Sequence, residues 1–192
     1  NMEENRDFFK NAYEVTEFLC VCAAAGLILF RKVVVLLLGK DYRGAESIIP
    51  FLTLMPVFAI MFEITNQSIK YSKHNMYLNI ASAAAIICNV CGNAILVPVY
   101  SGTGAAITTG ISYIVYFAIG SVFSEKCIKI GYNFKKTAVY IVLLTIYCFE
   151  ASFMKNMAAD IVSGMILLTA ACIIDRKALR QVMGYALKKI RH

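Results

Sequence analysis

Between Lys73 and Glu125 the chain carries no Asp, Glu, Lys or Arg. A water-facing domain does not leave so long a stretch uncharged, because every helix or strand of a soluble fold returns to solvent every few residues. The stretch is long enough for two helical spans of about 20 residues each across a hydrocarbon core. Composition agrees: 59% of the 192 residues are hydrophobic, 16% are charged, and the mean hydropathy is +0.66. Soluble domains carry about 25% charged and 45–50% apolar residues. The chain reads as an all-α integral membrane protein.

Six spans follow from the apolar runs, at roughly 14–38, 46–68, 76–97, 104–123, 137–153 and 158–174. The fifth and sixth are short, at the lower edge of the roughly 17–25 residues a span needs. Arg31-Lys32 interrupts the first before VVVLLLG. No alternating strand pattern competes with these runs. The opening residues, NMEENRDFFKN, are polar and acidic and do not form a cleavable signal peptide.

The basic residues set an orientation. With the N-terminus inside, the inner segments hold Arg6, Lys10, Lys70, Lys73, Lys126, Lys129, Lys135 and Lys136. The tail adds Arg176, Lys177, Arg180, Lys188, Lys189 and Arg191, for fourteen in all, whereas the outer loops hold three: Lys40, Arg43 and Lys155. Lys and Arg accumulate in cytoplasmic loops, so six spans with both termini cytoplasmic are expected. The same bias accounts for the net charge of +7 without nucleic acid as a partner. In the tail, Leu179, Val182, Met183, Ala186, Leu187 and Ile190 recur at helical spacing opposite a basic face. Such a helix suits an anionic leaflet or docks on the chain's own loops.

NAILVPVYSGTGAAITTGIS, residues 93–112, admits two readings. Gly102, Gly104 and the downstream Glu125 loosely match a dinucleotide-binding loop, but no βαβ unit surrounds them, as that fingerprint requires. A transmembrane hairpin fits better. Pro98 ends one helix, Tyr100 suits the interface, and Ser101, Gly102 and Gly104 permit the reversal. Ala105, Ala106, Gly110 and Ser112 then give the returning helix a small-residue face for close packing.

The same residues carry a resemblance. Asn93, Leu96-Val97-Pro98, Tyr100, Gly104-Ala105-Ala106 and Thr109 resemble the signature of bacterial polysaccharide exporters, the lipid-linked oligosaccharide flippases of the multidrug/oligosaccharidyl-lipid/polysaccharide superfamily. Gly39, Tyr42 and Ala45 resemble a second element of that family, in its order and at about its spacing. The likeness covers roughly residues 12–125. The family has glycine directly after the tyrosine, where this chain has Ser101. The resemblance implies two pseudo-symmetric six-helix lobes around a central cavity. Residues 1–125 are then the end of the C-terminal lobe, 126–174 two further spans, and 175–192 a basic amphipathic cytoplasmic tail. It also implies a bacterial cytoplasmic membrane, missing N-terminal helices as partner, and polyprenyl-pyrophosphate-linked oligosaccharide as substrate. A drug or lipid-precursor exporter of the same superfamily is the alternative within transport. A non-transporting scaffold of a polysaccharide synthase complex is the alternative outside it.

Polar residues inside spans nominate a substrate path, since they are costly unless they face a cavity or a partner. Glu63, Asn66 and Gln67 fall with Pro56 and Lys70 on one side of the second span, where Pro50 and Pro56 can bend the helix; the bland reading is that they approach the inner interface. Asn89 and Asn93 share a face of the third span, where interhelical hydrogen bonding is the favoured role and sugar contact the second. Arg31 is the candidate for lipid-pyrophosphate oxygens, against snorkelling to the outer interface. Glu150 and Asp160 are expected to mark the edges of the outer loop.

Other chemistry finds no support. The seven cysteines lie mostly within spans, Cys88-x-x-Cys91 has no second pair, and the histidines are His74 and His192 alone. No metal, cofactor, Ser/His/Asp set or Walker motif is indicated, so a non-enzymatic transporter is expected.

Overall fold

The structure, a computed structural model, describes residues 4–154 and 156–190, with the side chains of Asp41 and residues 185–190 left aside. The chain is 89% helical, with no strand among the described residues. The helices are α1 (Arg6–Leu29), α2 (Arg31–Leu38), α3 (Ile49–Leu52), α4 (Leu54–Thr65), α5 (Gln67–Tyr71), α6 (Met76–Cys127), α7 (Phe134–Phe153), α8 (Met157–Ile174) and α9 (Arg176–Ile190), with a 3₁₀ segment at Lys40–Ser47. Five stretches are long and apolar enough to cross a membrane: α1, the continuous run Ile49–Tyr71 formed by α3 to α5, α6, α7 and α8.

The 52-residue α6 crosses twice. The Tyr77 and Phe123 rings stack 4.5 Å apart. In a straight helix they would stand roughly 69 Å apart at 1.5 Å per residue. The reversal is at Ser101, whose backbone (φ 48, ψ −127) leaves the helical region. Two antiparallel arms result, residues 76–100 and 102–127, and the bundle has six crossings. The first arm runs on to Tyr100, past the expected end before Pro98; the ring weakens its last turn without ending it. Just past the bend, a Cβ on Gly104 would lie 2.4 Å from the Leu96 carbonyl oxygen, so only glycine lets the arms meet there.

Ser101 occupies a conformation that glycine adopts freely and an L side chain does not. Ser101→Gly is therefore expected to stabilise the protein by about 1 kcal/mol. Unfolding in mixed detergent micelles reads this, and an unchanged or lowered midpoint would contradict it.

The first span departs from expectation. It covers Arg6–Leu29 and stops at Phe30, and VVVLLLG continues as a separate helix, α2, rather than as the end of the crossing. The break lets the Arg31 side chain turn into the bundle, while Leu36, Leu37 and Leu38 remain exposed. The second crossing runs through Thr53 and Asn66, both with helical φ/ψ; Thr53 donates its hydroxyl to the Pro50 carbonyl at 2.6 Å. Asparagine N-caps start the last two crossings: Asn133 accepts from the Lys136 N–H and Asn156 from the Ala158 N–H.

α1 is the central helix. Tyr13, Glu17, Val21, Ala24 and Ile28 are buried at three- and four-residue spacing along one stripe. Phe58, Met61 and Phe62 of α4 and Tyr140, Leu144 and Tyr147 of α7 belong to the same core. Gly120 lets the second hairpin arm seat against α4, since a Cβ there would lie 2.2 Å from the Phe62 ring. At one end of the bundle, Gln181 of α9 donates to Asn11 of α1 at 2.9 Å. The first turns of α1 and the start of α9 thus share that end. Ala178 is buried, and Leu179 and Val182 pack on the core, so this half of α9 docks on its own chain. The side chains of Ala186, Leu187, Lys188, Lys189 and Ile190, with Lys155 and Arg191, lie outside the described residues.

Candidate functional site

Three polar sets are held within the bundle. The first joins the hairpin arms. Asn93 donates to Asn89 Oδ1 at 2.9 Å, Thr108 donates to Asn93 Oδ1, and Asn89 Nδ2 lies 3.5 Å from Thr109 Oγ1. The interhelical role expected of the two asparagines is thus present. Asn89 has a second exposure: with Ser82, Ser112, Tyr113 and Tyr116 it lines a cavity of 370 Å³ on the open side of the hairpin. Along the first arm, residues 76–99, only Ala81 is buried. Asn89 stands about 18 Å along the helix from either end of that arm, which is mid-depth in a hydrocarbon core about 30 Å thick.

The second set surrounds Arg31, whose side chain is 1% exposed. Its guanidinium meets Asp160 Oδ2 at 2.7 Å and donates to the carbonyls of Ala151 and Ile28, each at 3.0 Å. Glu46 Oε1 lies 4.0 Å from Nε. Arg31, the phosphate candidate weighed against snorkelling to the interface, is turned inward and ties the first crossing to the last two. Asp160 stands in the first turn of α8, at the loop edge as expected, and is buried there as its counter-ion. Glu150 accepts a hydrogen bond from Ser163.

The third set was not foreseen from the sequence. Lys136 lies 2.7 Å from Glu17 Oε2 and 2.6 Å from Asp175 Oδ1. Thr137 donates to Glu17 at 2.5 Å and Tyr140 to Asp175 at 2.6 Å. The Tyr13 hydroxyl, 2.7 Å from Thr137 Oγ1, is left to donate, because the threonine proton is already committed. Two carboxylates therefore share one ammonium and two hydroxyls, with the Tyr13 hydroxyl behind Thr137, where α1, α7 and the α8–α9 elbow meet. The available signal was an acid, Glu17, on the apolar stripe of the first span. In the adjacent loop, burial pushes the Tyr132 phenol well above its ordinary pKa, keeping it neutral.

Two of the three second-span candidates, Glu63 and Gln67, share one face. Glu63 is exposed and pairs with Lys70 at 3.1 Å. Gln67 donates to the Glu63 carbonyl at 2.9 Å on that face, whereas Asn66 is buried at its edge. Pro56, Glu63, Gln67 and Lys70 thus keep the one polar side expected of them, because helical hydrogen bonding continues through Asn66, whose carbonyl accepts the Lys70 N–H at 3.0 Å. The residues of the resemblance lie at turns and contacts. Gly39 has φ 106 at the end of α2, and Tyr42 is exposed while Ala45 accepts the Ile48 N–H at 3.0 Å. Tyr100 packs edge-on to Phe153, Thr109 donates to the Ala105 carbonyl at 2.8 Å, and Ala106 is buried. No protein-family model, curated protein or solved structure matches the chain.

Proposed function

We propose that the protein translocates polyprenyl-pyrophosphate-linked oligosaccharide across a bacterial cytoplasmic membrane, as part of a flippase whose second lobe covers the open side of the hairpin. The observation that carries this reading is the mid-depth cavity at Asn89. Amide and hydroxyl groups are expensive against lipid tails, so a face that sets Asn89, Ser82, Ser112 and two tyrosines among Ala85, Ile86 and Val90 suits an amphipathic path or a protein partner. A sugar ring matches such a lining: its hydroxyls pair with amides and hydroxyls, and its C–H face packs on tyrosine rings. The largely uncovered first arm leaves the area on which a second lobe would close, and rocking of the lobes would alternate access. The excess of Lys and Arg at the end that holds the α1 start and α9 supports cytoplasmic termini.

The test is genetic and chemical together. Cells lacking the gene are expected to lose surface polysaccharide while lipid-linked repeats accumulate on the cytoplasmic leaflet. Loss of surface polysaccharide with no lipid-linked intermediate would place the protein in synthesis and overturn translocation.

A further inference from the structure

We propose that the turn following the first crossing, at the end of the bundle opposite α9, binds one anionic phospholipid headgroup whose phosphate carries a hydroxylated substituent. This inference needs only the membrane-embedded fold and does not rest on the translocation reading.

A cavity of 460 Å³ opens there, with Lys32, Lys40, Arg43 and Glu46 on its polar side and Val35 and Leu36 on its apolar side. Lys32 lies 3.8 Å from Glu46, and neither Lys40 nor Arg43 has an ion-pair partner among the described residues. In sequence the segment 31–47 carries Arg31, Lys32, Lys40 and Arg43 against Asp41 and Glu46. With Arg31 neutralised by Asp160, one positive charge is left over, which is the complement of a phosphodiester. The wall sets three cations against the single carboxylate of Glu46, an excess that favours an anion seated among them, and an arginine fork grips phosphate oxygens in pairs.

Two further observations make the ligand a lipid with a polar substituent. Arg43 and Glu46 also wall an adjoining cavity of 170 Å³ lined by Ser152. Ser152 is 4% exposed, and its hydroxyl meets no hydrogen-bond partner among the described residues. A buried hydroxyl without a partner beside a polar space is available to pair with a ligand hydroxyl. On the other side, Leu36, Leu37 and Leu38 stand 76%, 82% and 53% exposed, an apolar strip next to the cations that acyl chains would cover and a free anion would not. Phosphatidylglycerol satisfies all three demands, with phosphate on Lys40 and Arg43, a glycerol hydroxyl at Ser152, and tails along the leucines.

The experiment is lipid retention by native mass spectrometry of the full chain, extracted from vesicles of equal parts phosphatidylglycerol and phosphatidylcholine. One phosphatidylglycerol per chain is expected, preferred at least tenfold. Lys40→Gln with Arg43→Gln, both exposed positions, should lose that preference. Ser152→Ala should weaken phosphatidylglycerol severalfold and leave phosphatidic acid unchanged, and Lys177→Gln with Arg180→Gln at the opposite end should change nothing. Equal retention of the two lipids, or retention indifferent to Lys40 and Arg43, overturns the proposal. Displacement of the retained lipid by millimolar inorganic phosphate also overturns it, in favour of a free-anion site.

Discussion

Arg31→Leu is expected to destabilise the protein by about 3–5 kcal/mol, because it strands the Asp160 carboxylate in the bundle without its counter-ion. The pair is 2.7 Å apart, with side chains 1% and 4% exposed, so water does not take over from the guanidinium. The substitution also frees the Ala151 and Ile28 carbonyls, which the guanidinium satisfies at 3.0 Å. Asp160→Leu should cost a similar amount by stranding the arginine. Arg31→Leu together with Asp160→Leu should recover most of the loss, since an apolar pair of similar size carries no desolvation penalty. Unfolding midpoints of the four proteins in one detergent mixture complete the cycle. Additive losses would show that the two groups do not interact.

Lys136→Met is the second large effect and again amounts to about 3–5 kcal/mol. It leaves Glu17 and Asp175 buried and facing each other, where one ammonium had held both at 2.7 and 2.6 Å. The remaining donors, Thr137 and Tyr140, stabilise one carboxylate each but supply no charge. Adding Glu17→Gln and Asp175→Asn to Lys136→Met should restore most of the stability. The same change should slow proteolysis of α9, because Asp175 forms the elbow from which that helix leaves. A triple variant no more stable than Lys136→Met would contradict an ionic origin for the effect.

Both effects depend on residues whose partners are distant in sequence, and here the sequence was least legible. Arg31 and Asp160 are 129 positions apart and Thr137 and Glu17 are 120 apart; periodicity within one helix says nothing about such partners. Arg31 was therefore read against the nearest solvent and an imagined substrate, and Asp160 against the nearest loop. The hairpin was legible because it is local: the uncharged run requires two crossings, and only a few residues around Ser101 permit a reversal. Asn89 and Asn93, four residues apart, were legible for the same reason. The break at Phe30 was hidden because VVVLLLG continues the hydropathy of the first span, and only the inward turn of Arg31 accounts for it.

The central claim is that the open side of the hairpin faces a polar path and not lipid. All seven cysteines are unpaired, so a cysteine-free background is attainable and single cysteines can then report on each face. Asn89→Cys, on the cavity wall, is expected to react in intact cells with a charged, hydrophilic thiol reagent. Ile166→Cys, on the exposed face of α8, is expected to react only with an apolar maleimide. If Asn89→Cys proves inert to the charged reagent from both sides of the membrane while the apolar maleimide modifies it, the hairpin faces lipid and the account is wrong.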